Sequence, residues 1–218
     1  MIRRFKEPGG QYLTKIIGQD RLAFAMTDTS DLYDLIEWAK RGGYQGSNIQ
    51  FYDFETGDVY RPFEKKRDVI YADLAYFKGF YYILQGDYAE KKVRLYRYIP
   101  EELLDMITEL NLDEVDLFNM RLVGDQIHII SQRQGLFNCY YPEKFSFSNE
   151  PNETVTLIDD DKVYIDAWIE EGWDDVNDCA TDDYKYYGKV IVKDFEGNTI
   201  SEEIGSLYQG QDGTWWIA

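Results

Sequence analysis

Apolar strand ends flank a glycine turn in Ile17-Gly18-Gln19-Asp20-Arg21-Leu22-Ala23-Phe24 and again in Tyr76-Phe77-Lys78-Gly79-Phe80-Tyr81-Tyr82-Ile83. The same arrangement, with Gly or Asp in the turn, recurs at 122–129, 157–164 and 208–215. Each copy joins two strands rich in Ile, Val, Tyr, Phe or Trp through a tight turn, which is typical of a β-hairpin. Five hairpins in a chain of 218 residues predict an all-β domain of repeated sheets.

A second repeat follows each of the first four hairpins. It is an apolar strand that enters a turn of Pro, Gly, Asp or Glu, at 50–58, 94–102, 137–144 and 191–198. The order is therefore hairpin, third strand, turn and fourth strand. Pro100 followed by two Glu could instead begin a helix, but the repeat favours a turn and an outer strand there.

Four antiparallel strands per unit resemble the blades of β-propellers in general. The units span roughly 11–64, 68–110, 114–148 and 153–204, and a fifth begins near Ser206. Neither the Gly-His and Trp-Asp signature of WD40 repeats nor the double glycine of kelch repeats is present.

The resemblance implies one small propeller domain over 1–218, with five blades closed by both termini. The segment from Met1 to Lys6 would supply the outer edge of the fifth blade, which removes a free sheet edge. Four blades are the alternative, if the last hairpin completes the first blade.

Two insertions interrupt the repeats. Between Ser30 and Gly43 an apolar stripe, an N-cap at Ser30 and a terminal glycine pair predict a short helix that projects from the first unit. Its stripe is expected to pack on the sheets, with Trp38 as a candidate anchor for a partner. The second insertion, 170–184, is predicted to be an acidic loop.

The net charge of −18, from 41 acidic and 23 basic residues, repels phosphate backbones and anionic lipid. Nucleic acid and membranes are therefore not expected partners, whereas a protein or a neutral small molecule such as a sugar is. The sequence shows no secretory leader and no run of about 20 apolar residues. The cytoplasm is therefore expected, with Cys139 and Cys179 reduced.

Carboxylates supply two hypotheses about chemistry. Ca²⁺ needs six to eight oxygen ligands, and the second insertion carries Asp174, Asp175, Asp178, Asp182 and Asp183, although without EF-hand spacing. No other cofactor is expected.

Glycoside cleavage needs two carboxylates about 5 to 9.5 Å apart. Acidic residues at or near hairpin strand ends make Asp20, Asp73, Asp125 and Asp166 the candidate catalytic residues. The single histidine, His128, lies between apolar residues of a predicted strand and is expected to be structural.

Exposed tryptophans are the candidates for binding, namely Trp38, Trp173 and Trp216. Trp216 follows Trp215 on a strand, so the two side chains are expected to face opposite ways. The favoured function is a non-catalytic binding or scaffold protein. The alternatives are a carbohydrate-active propeller, which processes or binds sugars, and an acidic inhibitor or immunity-type protein that masks a basic partner.

Overall fold

A computed structural model describes residues 2–27, 31–124, 126–133 and 135–218 of the chain. Within these ranges strands predominate, with one α-helix and one short 3-10 helix at Leu112–Glu114. Asp125, one of the candidate catalytic residues, lies outside the described residues, as do Met1 and Ser30.

Four antiparallel sheets of four strands follow one another along the chain, and in each the strands pair in sequence order. The first two sheets are β1 (Thr14–Lys15), β2 (Leu22–Met26), β3 (Ile49–Asp53) and β4 (Val59–Tyr60), then β5 (Val69–Phe77), β6 (Phe80–Asp87), β7 (Lys92–Ile99) and β8 (Leu103–Asn111). The next two are β9 (Arg121–Val123), β10 (His128–Arg133), β11 (Leu136–Tyr141) and β12 (Phe145–Ser148), then β13 (Glu153–Asp159), β14 (Lys162–Asp174), β15 (Cys179–Lys193) and β16 (Thr199–Ile204). The repeated hairpins and third strands are therefore confirmed, as is the outer strand after Pro100.

A two-stranded hairpin completes the chain, formed by β17 (Leu207–Gln209) and β18 (Trp215–Ile217). On one side the Leu207 amide donates to an Asp166 carboxylate oxygen of the fourth sheet at 2.7 Å. On the other, the Gly18 amide of the first sheet donates to the Gln211 carbonyl at 2.9 Å. The hairpin therefore contacts both the last and the first four-stranded sheet.

Consecutive sheets share their cores. Ile49 and Phe51 of the first sheet pack with Tyr71 and Ile83 of the second in one cluster of buried residues. A second cluster joins the second sheet to the third, and a third cluster joins the third sheet to the fourth. Each buried cluster thus joins two sheets that are neighbours in sequence, and burying their apolar faces against each other stabilises the fold.

The prediction for the N-terminal segment is wrong. Phe5 packs edge-on against Tyr52 and Phe54, with ring centroids 5.1 and 5.4 Å apart. The Lys6 amide donates to the Gly57 carbonyl at 2.8 Å. The segment therefore lies on the β3–β4 end of the first sheet, because aromatic burial there outweighs pairing with the last hairpin.

The inserted helix is α1, Leu32–Lys40, and its N-cap is Asp31 rather than Ser30. The Asp31 carboxylate accepts from the Tyr33 amide at 3.1 Å, which satisfies one donor of the first turn. Leu32 and Leu35 are buried with Ile70 and Leu84. As expected, the helix leaves the first sheet, between β2 and β3, and its apolar stripe packs on the sheets, here against the second sheet.

Gly86→Ala is expected to destabilise this helix contact. A Cβ at position 86 would lie 2.6 Å from Leu32 Cδ2 and 3.3 Å from Leu35 Cδ2, and such overpacking costs about 1–3 kcal/mol. Urea unfolding measures the loss. In a Leu32→Ala background the same change is expected to cost far less, since the closest atom is gone; equal costs in both backgrounds would contradict a clash with Leu32.

Candidate acidic aromatic docking arm

The second insertion is a two-stranded β-ribbon, not the loop that the sequence predicted. β13 pairs with β14 as far as Ala167, and β16 pairs with β15 only down to Lys189. Beyond these points β14 and β15 continue to pair with each other as far as Asp174 and Cys179. We call residues 168–187 the arm. Its alternation of aromatic and polar residues is strand-like, but the density of Asp obscured that signal.

The pairing between the two strands of the arm is interrupted beside Gly172. Gly172 has φ of +72°, and a Cβ there would lie 2.8 Å from the Asp183 carbonyl, so only glycine fits without strain. The pairing is irregular between Glu171 and Trp173, where Gly172 alone on β14 stands opposite residues 181–184 of β15. Beyond this point the Trp173 ring meets Tyr184, whose hydroxyl donates to Glu170.

One face of the arm carries four aromatic side chains around a carboxylate. Trp168 stacks on Tyr186 with ring centroids 6.3 Å apart, and Trp173 meets Tyr184 edge-on at 6.0 Å. The Tyr184 hydroxyl donates to Glu170 Oε1 at 2.9 Å, which holds Glu170 between the two pairs. The exposed fractions of Trp168, Trp173, Tyr184 and Tyr186 are 49%, 40%, 37% and 63%. We call this surface the aromatic face.

The arm also concentrates unpaired negative charge. It holds seven carboxylates and one lysine, Lys185. None of these carboxylates forms an ion pair within the described residues, although acidic residues elsewhere do, such as Asp53 with Arg21 at 2.8 Å. An exposed aromatic face surrounded by uncompensated carboxylates favours contact with a cationic surface.

The tip of the arm uses one of its carboxylates to hold the turn. Asp174 accepts from the Val176 amide at 2.9 Å and from the Asn177 amide and side chain at 3.2 and 2.8 Å. The Asn177 side-chain bond, helped by the backbone bonds, lowers the pKa of Asp174 below its ordinary value. The remaining calcium candidates, Asp175, Asp178, Asp182 and Asp183, are exposed. Over the described ranges, no three His, Cys, Asp or Glu side chains converge as metal ligands would.

A cavity of about 640 Å³ lies where the sheets meet. Its lining includes residues of the first strand of all five sheets, among them Lys15, Asp73, Val123, Thr156 and Gln209. This volume falls within the range of small-molecule sites.

Two candidate catalytic carboxylates bond to the backbone of a neighbouring sheet. Asp73, which lines the cavity, accepts from the Leu122 amide of the third sheet at 2.7 Å and from the Leu74 amide at 2.8 Å. Burial raises the pKa of Asp73 despite these bonds. Asp166 accepts from Leu207 of the last hairpin and from the Thr156 hydroxyl at 2.9 Å.

Asp20 is exposed in the first turn, outside the residues that line the cavity. The structure thus places Asp73 and Asp166 in contacts between sheets, and the glycoside hypothesis stays a prediction.

The other tryptophan candidates lie apart from the arm. Trp38 is half-buried on α1 and packs on Tyr44 at 4.5 Å between ring centroids. Trp216 is 61% exposed on β18, whereas Trp215 is half-buried and lines the cavity. The sequence pattern did not indicate Trp168 as a binding residue, because Trp168 continues a buried strand with no turn in between.

His128 and one of the two cysteines are buried, whereas the other cysteine lies exposed in the arm. His128 is buried in β10, and burial lowers its pKa. Cys139 is buried and free, and burial raises the pKa of its thiol to about 12. Cys179 is free and exposed near the tip of the arm.

No protein-family model matches the chain, and no curated protein matches it significantly. None of the helices in the described ranges has the length and apolar character needed to cross a membrane.

Proposed function

We propose that this chain is a non-catalytic binding module, built as a small β-propeller, whose arm docks a positively charged protein. The observation that carries the proposal is the aromatic face, exposed among carboxylates that have no ion pair in the described part of the chain. Masking of a basic partner, as an acidic inhibitor or immunity-type protein does, is one form of this function.

The propeller is supported by the order and contacts of the sheets. Four meander sheets pack in sequence order, and the final hairpin bonds to both the fourth sheet and the first. All five sheets contribute to one cavity, as blades do around a central channel. In this proposal the fifth blade has two strands, and the contact between Gly18 and Gln211 closes the ring in place of the N-terminal segment.

The docking role follows from the physics of interfaces. Tryptophan and tyrosine dominate binding energy when a partner desolvates them. Cation–π contacts of a partner's lysine or arginine with the faces of these rings would add about 0.5–2 kcal/mol of binding energy each. Glu170 would add a charge at the centre of the same surface. An exposed apolar patch that is rimmed by polar residues usually marks a site of interaction.

The cytoplasm is part of the proposal, because Cys139 and Cys179 are both free thiols. An exposed thiol such as Cys179 persists in a reducing compartment.

Titration calorimetry with a decapeptide of alternating lysine and threonine tests the docking role. The triple variant Glu170→Gln, Asp182→Asn, Asp183→Asn is expected to weaken binding about 10-fold or more, since each exposed charge pair contributes up to about 1 kcal/mol. Raising the salt concentration is expected to weaken the wild-type complex in the same direction.

The matched control removes three charges from the other end of β14, as Asp159→Asn, Asp160→Asn, Asp161→Asn. These residues are exposed at the β13–β14 turn, so the net charge changes equally while the arm stays intact. We expect this control to bind within about twofold of the wild type. Equal weakening by both triple variants would mean that bulk charge alone attracts the peptide, and the arm would lose its assigned role.

A further inference from the structure

The last sheet of the chain has half as many strands as the others. β17 and β18 form a sheet of two strands, whereas each preceding sheet has four. The pairing of β18 with β17 runs without interruption from Leu207–Ile217 to Gln209–Trp215. Among the described residues, no strand pairs with the other edge of β18. Such an edge presents backbone donors and acceptors that can pair with a further strand.

The hydrogen bonds of the hairpin show which backbone groups face this free edge. Ser206 and Ala218 are bonded in both directions, with N–O distances of 2.9 and 3.1 Å. Along an antiparallel pair, residues bonded in this way alternate with residues whose amide and carbonyl point to the other edge. The amides and carbonyls of Ile217 and Trp215 therefore point away from β17, towards the free edge of β18.

The side chains of the hairpin are exposed and apolar at this edge. Trp216, a binding candidate from the sequence, is 61% exposed, Ile217 is 42% exposed, and Tyr208, directly opposite Trp216 on β17, is 65% exposed. Residues 213–218 carry no charged side chain, in a protein whose net charge is −18. Exposed apolar side chains of this kind mark a surface for association.

We infer that two copies of the chain associate through β18, with their β18 strands antiparallel about a twofold axis at Trp216. Trp215 of each copy then lies opposite Ile217 of the other, and each of these two pairs exchanges two backbone hydrogen bonds. The two hairpins together form a sheet of four strands, the same number as in the other sheets. The interface is isologous, because one patch serves both copies.

The aromatic side chains support this register. The two copies of Trp216 lie opposite each other as a pair without backbone bonds, and in such pairs the side chains approach most closely. Tyr208 of each copy flanks its own Trp216, so four aromatic side chains form one row across the joined sheet. Aromatic pairs directly opposite each other stabilise a sheet.

Charge selects a second copy as the occupant of this edge. A cationic segment is attracted to the arm, where seven carboxylates accompany one lysine, and gains no such attraction from an uncharged edge. Two acidic copies repel each other, but at this edge no like-charged side chains stand opposite one another. Added salt screens the remaining repulsion. We therefore expect salt to strengthen the dimer, whereas it weakens peptide binding at the arm.

Disulfide trapping in a Cys179→Ser background of the full chain tests the register. Trp216→Cys is expected to give a covalent dimer as the main product of mild oxidation, because the two thiols face each other within the reach of a disulfide. Tyr208→Cys is the matched control. Its side chain is similarly exposed, but the two copies of residue 208 are three strand spacings apart, or about 14 Å, so little covalent dimer is expected. Equal trapping at both positions would indicate collision in solution and overturn the inference.

Sedimentation equilibrium of the unaltered protein supplies a second readout. We expect a dimer with a dissociation constant of about 100 µM or lower, and Ile217→Pro is expected to raise this constant about 10-fold or more. Proline removes an N–H that faces the free edge, and the hairpin does not use that group, so the melting temperature of the variant is expected to stay near that of the wild type. A protein that remains monomeric at about 500 µM, or an Ile217→Pro variant that dimerises like the wild type, would overturn the inference.

Discussion

Glu153→Gln is expected to lower the free energy of unfolding by about 3–5 kcal/mol, the cost of leaving one charge of a buried pair without its partner. Glu153 Oε2 lies 2.8 Å from Lys193 Nζ, and both residues are buried, at 7% and 8% exposure. Glu153 also accepts from the Glu150 amide at 3.2 Å. The pair joins the start of β13 to the end of β15, so its loss affects the sheet that carries the arm.

The double variant Glu153→Gln, Lys193→Met separates the cost of leaving one buried charge unpaired from the net contribution of the ion pair to stability. Removing both charges is expected to recover at least half of the lost stability, since replacing a buried pair by uncharged groups is often nearly neutral. Urea unfolding, followed by far-UV circular dichroism, gives each free energy. A single variant that costs less than about 1 kcal/mol would indicate that water reaches Lys193.

Replacing residues 170–186 by Asn-Gly is expected to abolish peptide binding while leaving the fold intact. Ile169 and Tyr187 are directly opposite each other, and Asn-Gly suits a two-residue turn between paired strands. The change removes all seven carboxylates of the arm together with Trp173, Tyr184 and Tyr186. The affinity for the lysine-threonine decapeptide is expected to fall at least about 100-fold, or about 2.7 kcal/mol.

Stability is the control for this replacement. None of the residues removed belongs to the three buried clusters, so the melting temperature is expected to change by no more than a few degrees, equivalent to about 1 kcal/mol. Ile169, which packs against the third of these clusters, is kept. A folded variant that still bound the peptide with wild-type affinity would refute the docking role of the arm.

The repeated sheets could be predicted from the sequence because their signals are local. Turn glycines such as Gly79 and Gly124 have positive φ and lie between strands, as the five hairpins require. Pro100 and the two Glu that follow it resemble the start of a helix, but they lead into an outer strand, as the repeat predicted. A short-range pattern that recurs at similar spacing is stronger than one local preference.

The features that were missed depend on contacts distant in sequence. Phe5 lies on the first sheet because Tyr52 and Phe54 surround it, and nothing near Phe5 in the sequence shows this. α1 lies on the second sheet because Gly86 has no side chain to oppose Leu32. The arm was interpreted as a loop from its aspartates, although the pairing of β14 with β15 makes it a ribbon. These residues can be read from the sequence, but the partners they face across the two strands cannot.

The contact between the last hairpin and the first sheet also bears on the order of folding. Gln211 donates its side-chain amide to the Ile16 carbonyl at 3.1 Å across 195 residues of chain. The three buried clusters, in contrast, join sheets that are neighbours in sequence. Local contacts form fastest, and distant ones must first overcome the entropy of closing a long loop. The four sheets can therefore assemble one after another as the ribosome releases them. The contact between the last hairpin and the first sheet forms last.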